Sequence, residues 1–202
     1  VSYLPRGDRS HTRKLLDAFL EKAQGAAIES LDLLEDTPDL LDSRRVMAYI
    51  ARDYLGETLT PEDTAVLAGM DRMTAQFMAA DAVVMAFPMY NFTFPATVKA
   101  YFDAIMLKGK TWDVGDDGFI GLMTGKKALI LMASGGIYEG DFAPYEHALT
   151  LAQVEFGFMG FEDIRTVTAA GMNFLKPEEV DAAVAKAQDE ARAVATDWGL
   201  GG

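Results

Sequence analysis

Two apolar runs constrain this chain more than any other feature. Ala82–Pro88 (AVVMAFP) and Ala128–Ala133 (ALILMA) have strand length and never alternate with polar residues. A strand with one wet face alternates; an unbroken run has both faces covered, as in a parallel sheet between helix layers. The segments around them read as helices. Leu15, Leu16, Phe19, Leu20 and Ala23 share a face over residues 10–24, Val46, Tyr49, Ile50 and Tyr54 over 42–55, and Val98, Phe102, Ile105 and Met106 over 96–107. Thr60-Pro61-Glu62-Asp63 starts another, with a hydroxyl N-cap, Pro in the first turn and acids at the positive dipole end, running to Ala79. Further helices are expected over 145–158 and from Pro177, where Val180, Val184, Ala187, Ala191, Val194 and Trp198 form a stripe.

Short runs at Val1–Tyr3, Ala26–Leu33 and Ile164–Val167 bring the strand count to five, and Asp116-Asp117-Gly118 reads as a hairpin tip. The order predicts an α/β fold: a doubly wound five-stranded parallel sheet with helices on both faces and a small hairpin insertion. A single domain over 1–202 is expected. The chain opens without Met, so either residues precede Val1 or the first strand is unusually short.

Composition narrows the chemistry. The absence of Cys excludes disulfides, thiolate metal centres and a cysteine nucleophile. Two histidines, His11 and His147, offer no metal-ligand spacing, so no metal is expected. A net charge of −13 repels phosphate backbones and anionic lipid, which argues against nucleic acid and membranes as partners. No apolar run approaches the ~18 residues of a membrane span, and the opening VSYLPRGDRS is not a signal peptide. A soluble cytoplasmic protein is the expectation.

In a doubly wound sheet, ligands sit beyond the carboxyl ends of the strands. Three chemically unusual segments leave those ends. Leu4–Thr12 (LPRGDRSHT) brings Ser10 and Thr12 to a helix N-terminus, where free N–H groups and the dipole attract a phosphate; Ser10 acting only as a helix cap is the plainer reading. Pro88-Met89-Tyr90-Asn91-Phe92 puts large apolar side chains where a loop is normally small and polar; they pack as core, the usual fate of such residues, or make a wall for a flat ring with Asn91 at its polar edge. Ala133-Ser134-Gly135-Gly136-Ile137-Tyr138 either is a flexible turn or lets backbone N–H groups approach a ligand unobstructed. A phosphate at one end and a planar heteroaromatic ring at the other describe a flavin mononucleotide.

At these residues the chain resembles the FMN-dependent NADH-azoreductase and NADH:quinone oxidoreductase family, which is flavodoxin-like. Pro88–Trp112 (PMYNFTFPATVKAYFDAIMLKGKTW) and Gly121–Lys127 (GLMTGKK) are similar to its PMYNF block and GKKA strand lead-in. Pro5–Thr12 (PRGDRSHT) is similar to its phosphate loop, and Gly157–Ile164 (GFMGFEDI) to its segment before the last strand.

The resemblance implies that Ser10, His11 and Thr12 hold the FMN phosphate. It further implies that Met89, Tyr90, Asn91 and Phe92 contact ribityl and ring, and that Ser134, Gly135 and Gly136 face the pyrimidine. It implies a ping-pong cycle in which NADH or NADPH reduces the flavin and a quinone or azo compound reoxidises it. It also implies a homodimer, in which Phe119 covers the flavin of its own or the partner subunit; packing within the hairpin is the plainer reading of Phe119. Catalysis is then flavin-borne, with Tyr138 the candidate acceptor wall or proton donor. Two positions depart from the family: Ala133-Ser134 stands where Ser-Arg is common, and Leu4 where a serine precedes the PRG turn.

The competing readings fit less well. An electron-carrying flavodoxin has a Thr/Ser-Gly-rich phosphate loop unlike PRGDRSHT, and an NAD(P)H:FMN reductase would share the cofactor without the acceptor preference. A response-regulator domain needs acids where Tyr3-Leu4 and Pro88-Met89 stand. A serine hydrolase built on Ser134 lacks the first glycine of GxSxG, replaced by Met132.

Overall fold

The two apolar runs lie side by side in the computed structural model, which describes residues 1–201. In chain order the elements are α1 (His11–Lys22), α2 (Ser43–Tyr49), α3 (Pro61–Ala79), β1 (Ala82–Pro88), α4 (Ala96–Ile105), β2 (Trp112–Gly115), β3 (Gly118–Gly121), β4 (Lys127–Ala133), α5 (Ala148–Phe158), β5 (Asp163–Ala169) and α6 (Pro177–Asp197). Strands β1, β4 and β5 form a parallel sheet in that order, with Pro88, Ala133 and Ala169 level at its carboxyl edge. Central β4 alternates between two cores. Ala128, Ile130 and Met132 pack with Phe77, Phe102 and Phe156, whereas Leu129, Leu131 and Ala133 pack with Leu15, Phe19 and Val184. Burying both faces of one strand is what its unbroken run required; each large side chain contributes roughly 1.5–3 kcal/mol.

The regular sheet has three strands, not the expected five. Residues 1–3 and 26–33 run parallel to β1 but are held by single bridges, Ser2 to Asp32 on one side and Ser2 to Ala86 on the other. Tyr3 N–H donates to Ala86 O (2.9 Å) and Leu33 N–H to Ser2 O (2.8 Å). Asp32 is the residue of the Ala26–Leu33 run that bridges to Ser2, and Ile28 in it is exposed.

Two helices begin or end differently from the periodicity reading. The face over 42–55 is α2 followed by a wider π turn at Ile50–Tyr54. The helix expected from Tyr145 starts at Ala148, after a 3-10 turn at Gly140–Tyr145. Glu146 decides this start: its Oε1 accepts from Ala148 N–H and Leu149 N–H, each at 2.8 Å. Thr60 caps α3 as expected, accepting from Asp63 N–H at 3.1 Å. The hairpin β2–β3 forms around Asp116-Asp117, with Gly118 at φ 122°. Its root is packed so closely that a Cβ on Gly121 would lie 2.2 Å from the Gly160 nitrogen.

Candidate functional site

Beyond the carboxyl edge, three loops converge on one residue. The Ala133 N–H donates to Thr12 Oγ1 (3.0 Å), and the Ala133 carbonyl accepts from Met89 N–H (3.1 Å). The last peptide of β4 thereby ties the loop before α1 to the turn after β1. Both partners are buried, as is Ser134. The convergence expected for Thr12, Met89 and Ser134 is therefore realised.

At the α1 end, Ser10 accepts from Arg13 N–H at 3.3 Å, so the plain capping role is real. The hydroxyls of Ser10 and Thr12 act as acceptors in these bonds, and each keeps its own O–H to donate. The N–H groups of His11 and Thr12, in the first helical turn, have no protein acceptor among the described residues. His11 adds an orphan: its Nδ1 is buried without a partner. Burial, followed by the nearby Lys14 and Arg6 cations, lowers its pKa, with Asp181 opposing. Donors, dipole and cations all favour an anion here.

At the other end, Tyr90 and Thr93 exchange two backbone bonds, of 2.8 and 3.1 Å, across a turn made by Asn91 and Phe92. Both central residues are left-handed, at φ 48° and 72°. Asn tolerates this conformation, whereas for Phe it stores strain of order 1–2 kcal/mol. The strain turns Phe92 outward, half exposed, to meet Tyr138 edge-on at 6.4 Å and Tyr145 at 5.6 Å. His147 N–H donates to Phe92 O (2.9 Å) and locks the turn to the start of α5.

The glycine loop is braced by the segment after β5. Gly136 O accepts from Gly171 N–H (2.9 Å), Ser134 O from Met172 N–H (3.1 Å) and Gly135 O from Asn173 N–H (3.0 Å). Ser134 Oγ donates to Gly136 O at 2.9 Å, which commits that hydroxyl to shaping the loop. With the carbonyls taken, the N–H groups of Gly135 and Gly136 have no acceptor among the described residues. A Cβ at Gly135 would meet Asn173 Nδ2 at 2.4 Å, and one at Gly136 would meet the Tyr138 ring at 3.2 Å. Sequence reasoning missed Asn173 and Tyr145; the Gly171-Met172-Asn173 triplet just past the last strand was the available signal.

Phe119 follows its plainer reading and stays with the hairpin, away from the three loops. It packs against Trp112 (5.6 Å) and Phe158 (5.4 Å) in the hairpin cluster and remains 68% exposed. A cavity of about 610 Å³ opens at the opposite, amino end of β1, among Leu16, Phe19, Ala27, Ala80 and Ala82. It is remote from every loop of the site. Among the described residues, no group of three or more His, Asp or Glu side chains can hold a metal, and no helix is long and apolar enough to cross a membrane.

Free N–H groups at both ends and an aromatic turn between them fit a phosphate-bearing ring compound, the arrangement of flavin-binding α/β domains. Comparison with known proteins agrees. A family profile described as a flavodoxin-like fold matches residues 1–195. An FMN-dependent NADH:quinone oxidoreductase of Nitratidesulfovibrio vulgaris (strain DP4) is 35% identical over 208 residues, covering 96% of this chain and 95% of that protein. FMN-dependent NADH:quinone oxidoreductase 1 of Bacillus subtilis is 34% identical, covering 92% and 90%. Among solved structures, an azoreductase from Bacillus anthracis superposes with a TM-score of 0.89 at 28% identity, covering 97% of both chains. An FMN-dependent NADH-azoreductase from the same species, in complex with FMN, gives 0.82 at 29%, covering 96% and 97%. The chain belongs to this flavodoxin-like family of FMN-dependent NADH:quinone oxidoreductases.

Proposed function

We propose that the protein is an FMN-dependent NAD(P)H oxidoreductase that reduces quinones and azo compounds by two-electron, ping-pong transfer. The observation that carries the reading is the double hydrogen bond of Ala133, which brings the loops of Thr12 and Met89 to one point, with unused N–H groups on either side. When bound, FMN would supply the redox chemistry, a two-electron relay between the nicotinamide donor and the acceptor. The chain's own residues bind and orient. Ser10, His11 and Thr12 receive the phosphate. Met89, Tyr90 and Phe92 wall the ring and exclude water, while Asn91 reads its polar edge. The N–H dipoles of Gly135 and Gly136, beside Ser134, hold negative charge that develops at the pyrimidine side. Tyr138 and Phe92 face the acceptor, and Tyr138 or solvent provides its proton.

The enzyme works as a cytoplasmic homodimer in this reading, since nicotinamide donors are cytoplasmic and much apolar surface stands uncovered along the hairpin, α5 and the turn before it. Phe119, Phe142 and Val154 are 68%, 63% and 65% exposed. Phe119 then serves the site across the subunit boundary. The purified protein is expected to be yellow, or to turn yellow with added FMN, and to consume NADH steadily with menadione. A protein that stays colourless after FMN addition refutes the enzymatic reading. FMN retention without NADH turnover makes it an electron carrier instead.

A further inference from the structure

The aromatic contacts of Phe92 run outward as well as toward Tyr138. On the outer side Tyr145 lies 5.6 Å from Phe92, the two rings tilted by 42°, and Phe142 backs Tyr145 at 6.4 Å. Tyr145 closes the 3-10 turn Gly140–Tyr145, directly ahead of the Glu146 cap of α5, and is half exposed, as Phe92 is. The bond from His147 N–H to Phe92 O ties both rings to the start of α5, so their spacing is set by backbone. Two fixed, half-exposed rings that continue the rim of a ligand site form a shelf, because each gains by covering its remaining face. Ring pairs engage at centroid separations of about 4.5–7 Å. A one-ring acceptor that meets Phe92 and Tyr138 leaves Tyr145 uncovered, whereas a second ring, fused or joined by a short bridge, reaches it. The charge of the turn adds a preference: Glu139, Asp141 and Glu146 lie along it without any Lys or Arg, and Glu139 and Asp141 are exposed. A cationic group over the tyrosine face is attracted by the ring and by these carboxylates, and a sulfonate is repelled.

We propose that Tyr145 is a specificity-determining residue for the electron acceptor: its ring takes the outer ring of a two-ring aromatic acceptor, and the turn that carries it favours cationic or uncharged outer rings over anionic ones. This rests on the flavin-enzyme reading and adds the acceptor class to it. Tyr145 acts by holding the acceptor in place and has no part in the electron transfer.

Steady-state turnover of the FMN-loaded protein with NADH tests this, using benzoquinone, menadione and two azobenzenes that differ only in a para-sulfonate or a para-trimethylammonium group. Tyr145→Ala is expected to lower the kcat/KM ratio of menadione over benzoquinone about tenfold, through KM rather than kcat, and Tyr145→Phe to keep the wild-type ratio. The wild type is expected to prefer the trimethylammonium dye, less so as salt rises, and the double variant Glu139→Lys, Asp141→Lys to reverse that order. A menadione-to-benzoquinone ratio that Tyr145→Ala leaves alone, or a Phe variant that behaves as the Ala variant does, overturns the role of the ring. A fall of both acceptors in step, with loss of a dimer in sedimentation, overturns it too and assigns Tyr145 to a subunit contact. A wild type that prefers the sulfonate overturns the charge selection. An FMN-loaded wild type that oxidises no NADH with any acceptor overturns the enzymatic reading itself, a separate and recognisable result.

Discussion

Two tight turns of this molecule are anchored on opposite ends of α5 and are built in opposite ways. The hairpin tip between Gly115 and Gly118 uses Asp116-Asp117 and a glycine at φ 122°, so its backbone is relaxed. The turn between Tyr90 and Thr93 forces Asn91 and Phe92 into the left-handed region without any glycine. The first is joined to the C-terminal end of α5 through Met123 N–H to Met159 O (2.8 Å), the second to its N-terminal end through His147 N–H to Phe92 O (2.9 Å). Strain persists only where surrounding contacts over-determine it, and such places cluster at functional sites. The strained turn is the one lying beside the glycine loop. The relaxed hairpin is instead fragile at its root.

The largest expected effect breaks that root. Gly121→Ala puts a methyl 2.2 Å from the Gly160 nitrogen, against backbone that cannot rotate away. It should cost about 3 kcal/mol, measured by urea denaturation; wild-type stability would mean the hairpin docks loosely.

The helix joining the two turns carries the next effect. Glu155 lies on α5 with its Oε2 buried and unpartnered and its Oε1 3.5 Å from Lys99 Nζ. Burial raises its pKa to about 7, with Lys99 opposing and Asp103 reinforcing. A carboxyl whose folded pKa exceeds its unfolded value contributes stability that is complete below the unfolded pKa and lost as pH rises through about 7. Glu155→Gln should therefore gain about 1–3 kcal/mol over wild type at pH 8 and little at pH 4.5. Equal differences at both pH values would disprove the linkage.

The strained turn can be split into side chain and backbone. Asn91→Leu should weaken FMN retention about tenfold and cost about 1 kcal/mol. Asn91→Gly should weaken FMN similarly while leaving stability within about 0.5 kcal/mol. Unchanged FMN affinity in both variants would remove Asn91 from the site. The smallest effect belongs to the hairpin tip, where Asp116→Asn should change stability by less than about 0.5 kcal/mol in the same denaturation assay.

Much of this architecture was legible beforehand because its causes are local. The runs that became β1 and β4, the Thr60-Pro61 start of α3 and the Asp116-Asp117-Gly118 tip each carry their reason within a few residues. The three loops of the candidate site were legible too, since their compositions are anomalous for loops. Reading failed where a partner distant in sequence decides. Ala26–Leu33 has strand-like residues but pairs through a single bridge from Asp32 to Ser2, and Glu146 moves the start of α5 past Tyr145. Phe119 took the plainer of its two readings, packing in the hairpin cluster against Trp112 and Phe158.

The chain's own order of residues thus determined which segments bury both faces, where helices are capped and which loops carry flavin-compatible chemistry, because those properties follow from side-chain polarity and short-range backbone preference. Only the tertiary structure decided that Thr12 and Met89 meet at Ala133, that Asn173 braces Gly135 and that Asn91 and Phe92 bear positive φ. The first two need groups far apart along the chain to meet in space, and the third is locked by His147 N–H donating to Phe92 O. Packing geometry decides such meetings, and no local pattern encodes it.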